Sequence, residues 1–109
     1  MANTFKLKTK ANVGVTTVGI YTDPAATTTV GIGITLANTS GSGVNVGVGV
    51  TRAGTTEDVK LLKNAPIPSG SSLEFMAGNK VVLEATDTVT VDSDTNNSVD
   101  ASLTIMEIT

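Results

Sequence analysis

Apolar and polar positions alternate with a period of two through much of the chain. Every second residue from Val30 to Leu36 is valine, isoleucine or leucine, within a segment covering residues 28–37. Residues 44–51 repeat the pattern, with valine at each even position. Side chains alternate between the two faces of a β-strand, so both segments are predicted to be strands with one buried face.

Turn signals divide the rest of the chain into short extended segments. Strands are predicted at residues 4–10, 15–21, 59–62, 72–75, 80–84, 88–91 and 99–108, with turn clusters between them at 22–24, 38–43, 53–54, 66–72, 78–79 and 92–98. This spacing favours an all-β fold, a single antiparallel β-sandwich of about eight strands, Ig-like or jelly-roll-like. Residues 13–109 are assigned to the sandwich, and residues 1–12 to an N-terminal extended arm.

The two clearest segments predict a register if they form a hairpin centred on Ser40. The apolar pairs would be Val30 with Val50, Ile32 with Val48, Ile34 with Val46 and Leu36 with Val44. The opposite face would then carry four glycines without side chains: Gly31, Gly33, Gly47 and Gly49. Glycine within a strand marks a close approach of other atoms. The approaching group is either another part of the same chain, such as the N-terminal segment, or a second subunit.

Residues 55–63 allow two interpretations. Thr55 and Asp58 resemble a helix capping box. Nine residues are few for a helix, and Pro66 follows closely, so a turn followed by a strand is favoured. Pro66 and Pro68 exclude a central strand at this point and predict a crossover between the two sheets.

Composition excludes most catalytic chemistry. The chain has no histidine, cysteine or tryptophan, and its aromatic residues are Phe5, Tyr21 and Phe75. This excludes a Ser-His-Asp triad, a thiol nucleophile, a disulfide framework and a Cys/His zinc site. Carboxylate pairs such as Glu84 with Asp87, or Glu74 with Glu107, are interpreted as surface acids rather than a glycosidase pair. We therefore expect neither an enzyme nor a cofactor.

One segment partly matches a calcium-binding loop. Asp92, Asp94 and Asn96 have the spacing of the first EF-hand ligands. Asn97 replaces the required glycine, and Leu103 stands at the position of the bidentate glutamate. The favoured interpretation is a polar hairpin loop stabilised by Asx side chains, with no metal ligands assigned. The alternative is a looser calcium site that includes Asp100.

Charge is unevenly distributed in this acidic chain, whose net charge is -3. Lys6, Lys8 and Lys10 share one face of the first predicted strand, either protecting a sheet edge from aggregation or docking on an acidic partner. An isoelectric point near 4.6 disfavours nucleic-acid binding. The sequence shows no secretory apolar core and no membrane span, so synthesis in the cytoplasm without export or membrane association is expected.

Several segments resemble short structural proteins in the virions of tailed phages, notably marine phages and cyanophages. The likeness is strongest in the second half and looser in the first; it covers residues 62–68, 70–73, 78–83, 87–91, 100–108, 18–22 and 34–39. Asp23 departs from the pattern, since an apolar residue is expected there, and the four strand glycines are unusually frequent. The resemblance implies a β-sandwich located in the virion.

The resulting hypothesis is a capsid decoration, or cement, protein that binds the major capsid protein on the outer head surface as a homotrimer. The predicted partner-binding residues are Phe5, Lys6, Leu7, Lys8, Lys10, Gly31, Gly33, Gly47 and Gly49. One alternative is a component of the neck, tail or fibre base. A second alternative is a small Ig-like module that binds a ligand or glycan.

Overall fold

A computed structural model describes residues 3–52, 57–75 and 80–109, which contain nine β-strands. The strands are β1 (Asn3–Val13), β2 (Val18–Thr22), β3 (Thr28–Asn38), β4 (Val44–Arg52), β5 (Glu57–Ile67), β6 (Ser72–Phe75), β7 (Val81–Leu83), β8 (Thr88–Ser93) and β9 (Val99–Ile108). In the described part of the chain, no helix has the length and apolar character needed to cross a membrane.

The strands form two antiparallel sheets that pack as a sandwich, which confirms the predicted fold class. The first sheet has the order β1-β9-β3-β6, and β7 also pairs with β3, beyond the end of β6. The second sheet has the order β2-β8-β4-β5. The last strand, β9, lies in the interior of the first sheet between β1 and β3.

The core lies between the inner faces of the two sheets. Leu36, Leu103 and Ile105 from the first sheet are completely buried. The valines of β4 face them from the second sheet and are also buried. Buried positions recur with a period of two along β8 and β9, as expected of strands with one face in a two-sheet core.

The predicted hairpin between residues 28–37 and 44–51 is wrong. β3 pairs with β9, β6 and β7, whereas β4 pairs with β8 and β5 in the other sheet. The connection between them is an arch fixed by Asn38, whose Nδ2 donates to the carbonyls of Ser42 at 2.8 Å and Ile67 at 2.9 Å. Two strands that face one core from opposite sides have the same apolar period as a hairpin, so the pattern alone does not separate these cases.

A β-bulge also changes which side chains of β3 face the core. The register on β9 shifts between Gly31 and Gly33, so Ile32 is the extra residue. Because an extra residue reverses the alternation, Thr29 and Gly31 face inward before the bulge, and Ile34 and Leu36 after it. Val30 and Ile32, predicted to be core residues, are only partly buried.

Residues 57–67 form the edge strand β5, which confirms the strand interpretation over the helix. Pro66 lies opposite Asn45 on this edge. The chain then passes through Pro68 to β6 in the first sheet, as predicted for a crossover. The predicted turns at residues 53–54 and 78–79, and the Thr55 end of the helix alternative, lie outside the described residues.

Candidate functional site

An exposed apolar row crosses the outer face of the first sheet. Phe5 lies opposite Met106, Met106 opposite Val30, and Val30 opposite Val82. The row thus spans four neighbouring strands, β1, β9, β3 and β7. Phe5 is 69% exposed and Val82 is 61% exposed. Residues directly opposite one another on antiparallel strands have adjacent side chains, so these four form one continuous surface.

Leu7 and Ile108 extend this row to a larger surface, which we call the apolar patch: Phe5, Leu7, Val30, Val82, Met106 and Ile108. Leu7 is 64% exposed and lies opposite Thr104. None of the six side chains carries a charge. A contiguous exposed apolar surface on a small protein is typical of an interaction site, and single exposed apolar residues are not.

A shallow depression of about 230 Å³ adjoins the patch on the same face. It is lined by Ile32, Gly33, Ile34, Thr35, Glu74, Phe75, Ser102 and Thr104. The bulge in β3 places Gly33 in this lining, where an added Cβ would meet only the Phe75 carbonyl oxygen, at 4.0 Å. The depression can therefore receive a side chain from a partner that covers the patch.

The structure separates the predicted docking residues of β1 into two groups. Phe5 and Leu7 point to the outer face. Lys6, Lys8 and Lys10 share the opposite face, since they lie across from Ile105, Leu103 and Ala101 of the inner side of β9. The prediction that the three lysines share one face is confirmed, but they do not share it with the apolar residues.

Two of these lysines have partners within the chain. Lys6 Nζ lies 2.9 Å from Glu107 Oε1, and Lys8 Nζ lies 5.7 Å from the centre of the Tyr21 ring. A lysine that forms such contacts must give them up to bind elsewhere. Phe5 and Leu7 are therefore better placed than Lys6 and Lys8 to contact a partner.

The predicted patch of four glycines is wrong because its members lie in two different sheets. Gly47 and Gly49 in β4 are approached by their own chain: an added Cβ on Gly47 would collide with Asp92 Oδ1, and one on Gly49 would lie 2.8 Å from the Val59 carbonyl oxygen. The sequence leaves open whether the same chain or a second subunit approaches the strand glycines. At Gly47 and Gly49 it is the same chain, through β5 and β8 and not through the N-terminal segment. Partner binding by Gly31, Gly33, Gly47 and Gly49 stays a prediction.

A buried polar network joins the two sheets at one end of the sandwich. Tyr21 Oη donates to Glu107 Oε2 at 2.6 Å and lies 3.0 Å from Thr29 Oγ1, which donates to Asp23 Oδ1 at 2.5 Å. The hydrogen bond from Tyr21, followed by that from Lys6, lowers the pKa of Glu107. Burial, together with donation to Glu107, raises the pKa of Tyr21. These hydrogen bonds connect β2 and the loop after it to β3 and β9.

Asp23 is the most constrained member of this network. The residue is 1% exposed, and its Oδ2 has no hydrogen-bond partner among the described residues. Burial raises the pKa of this carboxyl, and the nearby Asp87 and Glu107 add to the shift. The Asp23 backbone N–H donates to the Asp87 carbonyl at 2.8 Å, so the two acidic loops are held together.

Arg52 lies at the same end of the sandwich and contacts two acidic residues there. Its Nε lies 3.2 Å from Asp87 Oδ2, and its Nη2 is ion-paired with Glu84. The Glu84 backbone N–H also donates to Asp87 Oδ2, at 3.0 Å. Glu84 and Asp87 thus lie on either side of one guanidinium. The interpretation of the acid pairs as surface acids is wrong for Asp87 and Glu107, which are both buried.

The acidic loop after β8 binds backbone groups. Asp94 Oδ1 accepts from the Asn45 N–H at 3.1 Å, and Asn96 Oδ1 accepts from the Val15 N–H at 3.4 Å. The loop connects β8 and β9 in different sheets, so it is an arch and not the predicted hairpin. Among the described residues, no group of three or more acidic, histidine or cysteine side chains is arranged to hold a metal ion.

Sequence signals exist for Val82 and Met106, two members of the apolar patch that are not among the predicted docking residues. The pairs Val81-Val82 and Ile105-Met106 place two apolar residues in succession within a strand. Because neighbouring side chains point to opposite faces, one residue of each pair must lie outside the core. What the sequence does not reveal is that the strands carrying them are neighbours.

Comparison with known proteins identifies structural neighbours but no family. No protein-family model matches the chain, and no curated protein sequence matches it. A chain from Bacillus endospore appendages, which form disulfide-linked pili, is 18% identical with a TM-score of 0.57, over 99% of this chain and 87% of that one.

Chains from viral particles share the same fold. A chain of the T13 particle of IBDV is 12% identical with a TM-score of 0.58, over 96% of this chain and 30% of that one. A chain of the infectious bursal disease virus Gx strain is 12% identical with a TM-score of 0.55, over 95% of this chain and 33% of that one. This chain therefore spans about a third of each viral chain, and the likeness extends to the fold.

Proposed function

We propose that this protein is a non-enzymatic structural component of a tailed-phage virion, a decoration protein that binds the major capsid protein on the outer head surface as a homotrimer. The observation that carries the proposal is the apolar patch. It offers a broad, uncharged face on a domain whose buried acids are engaged within the chain. The fold, shared with chains of pili and viral particles, supports a role in assembly, as does the resemblance of several segments in the second half of the chain to phage virion proteins.

The patch has the character of the central part of a protein interface. Interface cores are depleted in charge and enriched in aromatic residues and methionine, as Phe5 and Met106 illustrate. A capsid presents many equivalent sites, so a modest patch on each subunit gains occupancy when several subunits of one oligomer bind together. Docking through the first sheet would leave the polar outer face of the second sheet, with Thr88, Thr90 and Asp92, toward solvent.

A second candidate is a subunit of the neck, tail or fibre base. The observation in its favour is that the match to the pilus chain covers most of both chains, whereas only part of each viral chain is matched. A fold that constitutes almost an entire filament subunit suits a tube or fibre as well as a shell. This chain has no cysteine, so subunits of such an assembly would be joined without disulfides.

Copy number in purified virions separates these candidates. Quantitative mass spectrometry against the major capsid protein is expected to give hundreds of copies per particle for a decoration protein. A dozen copies or fewer would move the protein to the neck, tail or fibre. Its absence from particles would overturn both candidates, and specific binding of the isolated domain on a glycan array would then favour the ligand-binding alternative.

A further inference from the structure

The first strand is almost independent of the core that the other strands build. All the residues of β1 are exposed except Lys8, which is half-buried, and Val13, which is buried. Residues 3–10 nevertheless pair without interruption along residues 101–108 of β9. The strand is therefore held by main-chain hydrogen bonds and a few contacts at one edge, rather than by burial of its own side chains.

A break in the strand register separates this paired segment from the rest of the sandwich. The register on β9 shifts between Lys10 and Val13, and Asn12 adopts a left-handed conformation with φ of 58°. Asparagine tolerates this conformation better than most residues. At this break the Asn12 N–H donates to Asp100 Oδ1 at 3.0 Å.

Removing β1 would leave residues 101–108 of β9 as an open edge, because the N–H and C=O groups of every second residue there would lose their partners. Such an edge readily pairs with another strand. The strand that fits it best is β1 of a second copy, because an identical sequence reproduces every interaction, including that of Lys6 with Glu107. Charge favours the same partner: three of the seven basic residues lie in β1, and all ten acidic residues lie outside it.

We propose that β1 exchanges between copies of this chain, so that residues 3–10 of one copy pair with β9 of the next. Exchange of an identical element forms oligomers at low cost, because each copy makes with its neighbour the same interactions that it gives up within itself. This strand exchange rests on the proposed function, in that it supplies the subunit interface of the proposed oligomer. In the exchanged form, the chain would turn at Asn12 and carry β1 away from its own sandwich.

A disulfide lock tests the exchange. Leu7 and Thr104 are opposed on β1 and β9 and both are exposed, so Leu7→Cys with Thr104→Cys in one chain can form a bond that holds β1 on its own β9. The chain contains no other cysteine. After oxidation at low concentration, the locked monomer is expected to stay monomeric when concentrated, as measured by light scattering. Wild type, and the same variant after reduction, are expected to form oligomers.

Mixing two single variants identifies the strand that is exchanged. Leu7→Cys mixed with Thr104→Cys is expected to give a covalent dimer in excess over Leu7→Cys mixed with Val82→Cys, which places an exposed thiol on the same face but on β7. Equal yields, an oxidised lock that oligomerises like wild type, or a wild type that is monomeric at every concentration would each overturn the exchange. All these measurements use purified protein without particles. A negative result would therefore overturn the strand exchange without bearing on the proposed place in the virion. Absence of the protein from virions would likewise overturn that place without bearing on the exchange.

Discussion

Tyr21 of the second sheet donates a 2.6 Å hydrogen bond to Glu107 of the first sheet, so a single phenol ties the two layers together where the core ends. Tyr21 and Glu107 are 86 residues apart in sequence and both are buried. The bond is charge-assisted, since the pKa of Glu107 is lowered chiefly by this donor.

Tyr21→Phe is therefore expected to destabilise the fold by about 1–3 kcal/mol, since a buried carboxylate loses a donor. Urea unfolding measures the change. Thr22→Val is the matched control: the Thr22 hydroxyl also bonds across strands, to Thr88 at 3.0 Å, but at an exposed site, and its loss should cost much less. Equal effects of the two substitutions would show that the Tyr21–Glu107 hydrogen bond contributes no more to stability than an exposed one.

Asp23 and Glu107 should give opposite pH dependences. Glu107 has a lowered pKa in the folded state, so its contribution is present above the ordinary value of 4.5 and is lost as the pH falls through the folded value. Asp23 has a raised pKa, so its contribution is present below 3.8 and is lost as the pH rises through the folded value.

Asp23→Asn removes the pH dependence that Asp23 contributes. The variant is expected to unfold at a higher urea concentration than wild type at pH 7, and the difference should shrink toward pH 3.5, where the wild-type carboxyl is also neutral. Glu107→Gln serves as the comparison, with a loss of stability that is greatest near neutral pH. A destabilisation by Asp23→Asn that is equal at both pH values would contradict this account of the buried carboxyl.

Glycines in the two sheets should differ in their tolerance of a methyl group. Gly49→Ala places Cβ 2.8 Å from the Val59 carbonyl oxygen and 3.1 Å from Thr90 Oγ1, so strain of about 1–3 kcal/mol is expected. Gly33→Ala meets nothing closer than 4.0 Å and is expected to change the stability by less than about 0.5 kcal/mol. Thermal melting of the two variants compares them directly, and a Gly49→Ala protein as stable as wild type would refute the close approach.

Binding to the capsid should depend on the residues of the apolar patch in particular, and not on exposed apolar residues in general. Phe5→Ser combined with Val82→Ser is expected to abolish binding to heads stripped of the protein and to leave the fold intact, because both side chains are exposed. Val15→Ser is the matched control, since Val15 is 57% exposed but lies outside the patch. A cosedimentation assay reads out occupancy, and equal binding by both proteins would remove the patch from the interface.

Local features of this fold follow from the sequence, whereas the pairing of its strands does not. The bounds of β6 and β9 match the predicted segments, and the valines of β4 are buried as their period requires. The predicted partner of β3 is wrong, because Asn38 and its hydrogen bonds turn a plausible hairpin into an arch. Asn38 holds that arch partly through its hydrogen bond to the Ile67 carbonyl. No local sequence pattern predicts a contact between residues so far apart in the chain.

The candidate site shows the same division. Phe5 and Leu7 are candidates from the sequence alone because they alternate with the lysines of a predicted strand. The apolar period assigns Val30 to the core, and only the bulge at Ile32 explains why it faces outward. Met106 and Val82 join Phe5 only after the order β1-β9-β3-β7 is known, so the patch is a property of topology.

A cryo-electron microscopy map of the intact virion that contains this chain tests the central claim most directly. We expect density for the sandwich on the outer head surface, with Phe5, Val82 and Met106 buried against the major capsid protein and the outer face of the second sheet toward solvent. A map in which these three residues face solvent while another surface contacts the capsid would contradict the claim.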